Sequence, residues 1–570
     1  MVIVGTLRLF LFAVFAVVCL HASLHRHDLP PEAESQLLPL LANGFLWAGY
    51  GAFWLLLIPR PRVALPIAFA SVGALALVNL RKVSELAEPI MLFDLFQLRN
   101  APLLIEYLPP GDWVLLGAGL VAVAAAAWRR GTSQPRRASM VAALLALVVF
   151  ATLLGRSFAA DGDSWAKRVF RTADVFWEPL AHHRSNGFLV ASLLDVPQLS
   201  VAVPRRYEAG RGRELLEPYL ACDAVDPGAA RPHVVVTMLE SFWDPTLEGL
   251  AFDRDPLPSY RALRDRGAVQ QFVSPVFGSR TANAEFEVLT GLSTRFSPIG
   301  SVPYQQYVKR PIVSVASVFR EAGYRTVAVH NFLRRFWNRD AVYPNLGFDE
   351  YVGLEDMGDV PWELGWPSDA ALFDRVEKII AEAEQPTFVF AVTVATHGPY
   401  TDRGWEPTIQ LIGDSRPDLA APMSGYATKL ELLDHHFGDF VGRLDALPEP
   451  PILVAFADHL PTIAASALPP DRGLGVPRLR LVEALILGAR EALPEVATRS
   501  LNCLGPEILR LAGVPAPPFF RFVEELCSRL PIVTPAAALE EADGILEAYR
   551  WLSYDRLFGE GYSSGSCGPV

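Results

Sequence analysis

Up to residue 155 the chain runs in long apolar blocks, and beyond it short apolar runs alternate with helical periodicities. The early blocks are Val2–Leu24 (interrupted by Arg8), Leu37–Ile58, Val63–Leu80, Trp113–Trp128 and Ala138–Gly155. A hydrocarbon core of about 30 Å needs about 20 helical residues. Five blocks in a row, almost free of internal charge, predict five membrane-spanning helices over residues 1–155. The first block also has the marks of a signal peptide, with Arg8 ahead of an apolar run and small residues near Ala22. One span fewer would also move the mature N-terminus across the membrane, so the orientation does not depend on that choice.

Basic loop residues set the orientation of such bundles. With the N-terminus inside, the inner segments carry Arg8, then Arg60 and Arg62, then Arg129, Arg130, Arg136 and Arg137. The outer loops carry Arg26, Arg81, Lys82 and Arg99. The arginine-rich loop before the last block carries the most weight, and everything after Gly155 is expected outside the cytoplasm. Pro89–Leu98 and Ala101–Leu108, apolar with isolated charges, predict an interfacial or re-entrant helix, with a simple loop as the alternative.

Residues 156–231 form a connector with amphipathic pieces at Trp165–Leu180 and Gly187–Leu194. Residues 232–531 predict one α/β domain, and 532–570 a C-terminal extension. The candidate strands are His233–Leu239, Tyr324–Val329, Thr387–Val394, Pro451–Phe456 and Val482–Leu487. Helical patterns at Ile312–Glu321, Asp369–Ala383 and Tyr426–Leu447 separate them. Nearly continuous apolar strands imply burial on both faces, hence a mainly parallel sheet with helices on both sides. The expected fold class is a multi-span α-helical membrane domain plus this α/β domain.

Composition supports the division. The 570 residues are 51% hydrophobic with mean hydropathy +0.25, too apolar for a purely soluble enzyme. The net charge of −12 is uneven: residues 1–155 hold 11 basic and 8 acidic side chains, the remainder 39 and 54. An acidic outer domain argues against nucleic acid as a partner, which needs a basic footprint.

Polar residues gather at the strand ends. Glu240 follows the first strand, His330 the second, His397 the third, and Asp458-His459 the fourth. Ligands of open α/β sheets bind outside the carboxyl ends of the strands, so these residues predict one convergent site. Ser279–Phe286 follows a glycine-containing loop and opens a helical pattern. A hydroxyl there, at Thr281, would meet unpaired N–H groups and a positive dipole suited to phosphate; the plain alternative is an N-cap. Glu240, Thr281, Asp458 and His459 form a mostly oxygen donor set with one imidazole. Such a set favours Mn2+ or Mg2+ and keeps Zn2+ open. A bound cation there would activate the Thr281 hydroxyl.

The motifs resemble those of the lipoteichoic acid synthase and phosphoglycerol transferase family, in the sulfatase-like alkaline-phosphatase superfamily. They are Met238-Leu239-Glu240-Ser241-Phe242, Arg280–Phe286, His330, Phe336-Trp337-Asn338-Arg339, Gly347-Phe348-Asp349, Ser368-Asp369, Thr396–Tyr400, Ala457–Pro461 and Tyr554–Gly559. The resemblance implies Thr281 as nucleophile and metal ligand, with Glu240, Asp458 and His459 completing one metal site, Mn2+ first. It implies that Trp337, Arg339 and His397 contact the head group, with His330 beside them. The implied reaction moves glycerophosphate from phosphatidylglycerol to a glycan or polyglycerolphosphate acceptor, on the periplasmic side of a bacterial cytoplasmic membrane. Phosphoethanolamine transfer, a phosphodiester hydrolase and a catalytically inactive receptor-like domain are the alternatives. Residues 232–531 contain no C/S-x-P-x-R signature of a formylglycine sulfatase; the match at Ser133–Arg137 lies between two apolar blocks, outside that domain.

Cys222, Cys503, Cys527 and Cys567 would lie outside, where disulfides form, and Cys503 with Cys527 is the nearest pair. His435-His436 are expected at the surface, and His182-His183 at the membrane interface.

Overall fold

The computed structural model describes residues 2–24, 37–58, 60–86, 88–94, 137–160, 164–173, 179–199, 201, 203–220, 231–298, 300–401, 404–414, 416–468, 478–489, 497–533 and 544–563, with positions 111, 114, 117 and 121 singly. The chain divides into two compact units, Met1–Ser200 and Val201–Val570.

The first unit contains α1 (Val2–Ala22), α2 (Leu37–Leu57), α3 (Pro61–Leu86) and α4 (Arg137–Phe158). Among the described residues, three segments are long and apolar enough to cross a membrane: Leu37–Leu57, Pro61–Val83 and Val141–Phe158. The apolar part of α1, Leu7–Ala22, is shorter. These helices expose Phe10, Leu11, Phe45, Phe53, Leu145 and Leu153, as a lipid-facing surface would. The expected span Trp113–Trp128 and the segment Ala101–Leu108 lie outside the described residues, save the three single positions within the span. Of Pro89–Leu98, residues up to 94 are described; Lys82 pins their turn through Asp94 at 2.7 Å.

His182 and His183 are both buried in the helix Pro179–Asn186. His183 Nδ1 pairs with the Pro179 carbonyl at 3.0 Å, and His182 Nε2 lies 3.5 Å from Asp195.

The second unit is built on an eight-stranded sheet. Its strands are β1 (Val234–Leu239), β2 (Ala268–Val273), β3 (Arg325–His330), β4 (Glu350–Val352), β5 (Thr387–Val392), β6 (Ile452–Ala457), β7 (Leu481–Leu487) and β8 (Arg499–Ser500). The order across the sheet is β8-β2-β7-β6-β1-β5-β3-β4. The block from β6 to β4 is parallel. Strand β7 runs antiparallel to both β6 and β2.

The five expected strands are all present, and the sheet is mainly parallel. Strands β1, β5 and β6 are buried at every residue. Their β-branched and aromatic runs pack on both faces, which requires helices on both sides. The helix Asp369–Ala381 packs against the long helix Pro417–Asp445. The latter begins nine residues before the apolar periodicity at Tyr426, with Pro417 and Pro422 in its first turns.

Behind the sheet, Cys503 and Cys527 form a disulfide across a sequence separation of 24 residues. Cross-linking that loop removes unfolded-state entropy worth about 3 kcal/mol. The double variant Cys503→Ser/Cys527→Ser is therefore expected to lose about 2–4 kcal/mol of stability in thermal or denaturant unfolding. A non-reduced digest should contain one peptide pair linking these two cysteines.

Candidate active site

Strand order places the chemistry. Strands β6, β1, β5 and β3 are neighbours and parallel, so their carboxyl ends share one edge of the sheet. Glu240 leaves β1, His330 closes β3, the turn bearing His397 follows β5, and Asp458-His459 leave β6.

Glu240, Asp458 and His459 each offer a ligand atom, and these atoms lie within 4.8 Å of one another. His459 Nε2 is 3.2 Å from Asp458 Oδ2 and 3.9 Å from Glu240 Oε1. Metal–ligand bonds of about 2.1 Å give ligand–ligand edges of roughly 3–4 Å. His459 Nδ1 donates to the Leu460 carbonyl at 3.0 Å, which leaves the Nε2 lone pair for the site. Asp458 Oδ1 accepts from the Ser241 and His459 backbone N–H groups at 2.7 and 2.8 Å. Asp458 Oδ2, also buried, receives no hydrogen bond.

The electrostatics ask for a cation. Burial and the adjacent Glu240 charge push the Asp458 carboxyl well above its ordinary range. Burial acts on Glu240 in the same sense. It is outweighed by the His397 and His459 charges and by hydrogen bonds from Ser241 and Thr281, which hold that carboxyl low. Two ionised carboxylates so close are stable only with a positive charge between them. The donor set and the orphaned Asp458 oxygen both fit a divalent ion.

Thr281 is the first residue of the helix Thr281–Thr290, all ten residues of which are buried. Its Oγ1 donates to Glu240 Oε2 at 3.0 Å. Arg280 before it is in the left-handed region (φ 64), as is Ser241 after Glu240 (φ 50). Backbone strain of this kind, costing about 1–3 kcal/mol per residue, clusters at working sites. The helix start directs unpaired N–H groups and its positive end at whatever Thr281 Oγ1 meets.

The expected head-group residues are placed as follows. His330 is buried, and its Nδ1 donates to the Val392 carbonyl at 2.8 Å. Burial and the Arg339 charge hold it well below the ordinary range, hence neutral. His397 is half-buried, with Nδ1 donating to the Gly398 carbonyl at 2.8 Å. Trp337 is half-buried in a left-handed turn (φ 56). Arg339 departs from an open phosphate fork. It is 1% exposed, and its Nε and Nη2 both donate to buried Glu285, at 3.1 and 2.9 Å. Glu285 lies one turn along from Thr281, so this ion pair anchors the helix that Thr281 opens. Only Arg339 Nη1 has no hydrogen-bond partner.

Sequence reasoning missed several supporting residues. Ser241 donates its hydroxyl to Glu240 at 2.8 Å, and Thr393 Oγ1 accepts from the Glu240 N–H at 2.9 Å. Buried Asp369 accepts from Asn331 Nδ2 at 2.8 Å and from the Val394 N–H at 3.0 Å, tying the ends of β3 and β5 together. Trp366 packs against His397 with the rings tilted by 56° and their centroids 4.8 Å apart. His435 is exposed as expected, whereas His436 is partly buried against Glu363 at 3.0 Å.

The family described as Sulfatase matches residues 232–514. A Rhizobium meliloti (strain 1021) protein described as "Putative cyclic beta-1,2-glucan modification protein" is 30% identical over 532 residues, 86% of this chain and 81% of that one. The structure of the Streptococcus pyogenes phosphoglycerol transferase GacH in complex with sn-glycerol-1-phosphate aligns with TM-score 0.53 and 19% identity, covering 64% of this chain and 97% of that one. The lipooligosaccharide phosphoethanolamine transferase A (EptA) of Neisseria meningitidis aligns with TM-score 0.52 and 12% identity, covering 89% and 95%. The chain belongs to the sulfatase-like, alkaline-phosphatase superfamily.

The donor set makes a binding prediction. Asp458→Asn or Glu240→Gln is expected to weaken Mn2+ binding to the purified chain by about 100-fold or more in calorimetry. Thr281→Ala should weaken it less. Unchanged affinity in the carboxylate variants would contradict the site.

Proposed function

We propose that this protein is a membrane-anchored phosphoglycerol transferase. It moves glycerophosphate from phosphatidylglycerol to an envelope glycan or polyglycerolphosphate acceptor, through a covalent phospho-Thr281 intermediate. The observation that carries this reading is the Thr281 hydroxyl at a helix start, 3.0 Å from Glu240 in the Glu240–Asp458–His459 cluster.

Glu240, Asp458, His459 and Thr281 would hold one divalent ion, Mn2+ first and Mg2+ or Zn2+ otherwise; when bound it polarises the Thr281 hydroxyl and offsets phosphoryl charge. Thr281 Oγ1 attacks the donor phosphorus. The Oγ1–P bond forms, the P–O bond to diacylglycerol breaks, and that oxygen leaves with a proton. An acceptor hydroxyl then attacks from solution, its O–P bond forms, and the Thr281 Oγ1–P bond breaks, which gives ping-pong kinetics.

His397 Nε2, bare when Nδ1 donates to Gly398, is the group assigned to move protons at the leaving and attacking oxygens. Neutral His330 accepts from a glycerol hydroxyl, and Trp337 walls the polyol. Arg339 contributes its charge and Nη1 while Glu285 holds the remainder of its fork. The apolar N-terminal helices keep the domain at its lipid donor. The loop arginines support a place on the extracytoplasmic face of the bacterial cytoplasmic membrane.

The test is a lipid assay. The full chain with Mn2+ and labelled phosphatidylglycerol should release diacylglycerol, and Thr281→Ala should abolish release. Turnover of phosphatidylethanolamine alone would replace this reading with phosphoethanolamine transfer, which the fold likeness to EptA also accommodates. Metal binding without turnover of either lipid would favour an inactive receptor-like domain.

A further inference from the structure

We infer that Lys429 is a positioning residue for His397. The inference rests on the phosphoglycerol-transfer reading, in which His397 moves protons. The helix Pro417–Asp445 buries Tyr426, Leu430, Leu433 and Phe437 along one stripe, and Lys429 lies on that stripe, 1% exposed. An ammonium group buried this deeply is costly unless its donors are met.

Its donors meet the turn that bears His397. Nζ donates to the His397 carbonyl at 2.8 Å and to the Ala395 carbonyl at 3.3 Å. The ammonium also sits 6.0 and 5.9 Å from the ring centroids of Tyr400 and Trp405. One turn earlier, Gly425 brings helix and turn into backbone contact: a Cβ there would lie 1.9 Å from the Tyr400 carbonyl oxygen.

The turn is also fastened to Glu240. Thr393 Oγ1 accepts from the Glu240 N–H at 2.9 Å, and the Thr396 hydroxyl donates to the Glu240 carbonyl. Within the turn, His397 Nδ1 and Trp366 Nε1 both end on the Gly398 carbonyl, at 2.8 and 3.2 Å. The imidazole is therefore aimed by the backbone of residues 397–398. Lys429 fixes that backbone through the Ala395 and His397 carbonyls. Without its ammonium, the two carbonyls lose this donor together and the ring loses its fixed bearing. A displacement of about 1 Å in such a group costs on the order of 100-fold in rate.

The test uses the full chain in detergent with Mn2+ and labelled phosphatidylglycerol. Lys429→Met keeps the slot filled and removes the charge. It is expected to lower kcat for diacylglycerol release by about 10- to 100-fold, with donor KM within about threefold and Mn2+ affinity unchanged. Because Lys429 acts through His397, the double variant with His397→Ala should be no slower than His397→Ala alone. Hydrogen exchange should quicken at the amides of residues 394–400.

Gly425→Ala, which pushes the turn away from the same helix, should act in the same direction and serves where the methionine variant does not fold. Wild-type kcat in Lys429→Met, multiplicative losses in the double variant, or unchanged exchange over 394–400 would overturn the inference. The exchange readout needs no turnover. Loss of protection in a chain that ignores phosphatidylglycerol would overturn the transfer reading while upholding the Lys429 clamp.

Discussion

Two buried carboxylates, Glu240 and Asp458, face one imidazole, His459, within 4.8 Å. Left to themselves they do not share that space well. The Glu240 charge and burial push Asp458 towards its protonated form, while the charges of His397 and His459 and hydrogen bonds from Ser241 and Thr281 draw Glu240 the other way. A divalent ion would resolve the conflict by allowing both carboxylates to ionise. The surroundings follow from that constraint. Left-handed Ser241 presents its N–H to Asp458 and its hydroxyl to Glu240. Left-handed Arg280 starts the helix so that Thr281 Oγ1 reaches the same carboxylate. The buried Arg339–Glu285 pair fixes that helix one turn further on.

The parallel block explains why residues more than two hundred positions apart in the chain can meet. Strand β1 pairs with β6 and β5, and β5 with β3, all in the same direction, so each strand delivers its next residue to one edge. This part was legible because runs such as Val234–Leu239 and Ile452–Ala457 are apolar throughout, and a carboxylate directly after such a run stands out. Strand β2 was not legible: Gln270 and Gln271 break its apolar run, and its place beside β7 comes from long-range pairing that no local pattern encodes. The short strands β4 and β8, of three and two residues, are below the length at which periodicity can be read.

The same distinction holds within the site. Thr281, Glu240, Asp458 and His459 carry their chemistry in their residue types and flank secondary-structure signals. Arg339 shows the limit, since its type suggested an open phosphate fork and only the fold reveals that Glu285 already occupies two of its nitrogens. Lys429 did leave a mark, a lone cation on the stripe of Tyr426, Leu430 and Leu433, but its partners are backbone carbonyls of a distant turn. In the first unit, His182 and His183 are buried beside Pro179 and Asp195, contacts that no local pattern marks. The apolar helices are a local property and were read from length and hydropathy alone.

The central claim is that the Thr281 oxygen becomes the phosphorus-bearing atom between two displacements. Rapid quenching of the full chain with phosphatidylglycerol and Mn2+ in the absence of acceptor, followed by peptide mass spectrometry, tests it directly. The account predicts one glycerophosphoryl group on the peptide containing Thr281, lost when an acceptor glycan is added. Diacylglycerol release with that peptide unmodified throughout, or with the group on a different residue, would contradict it.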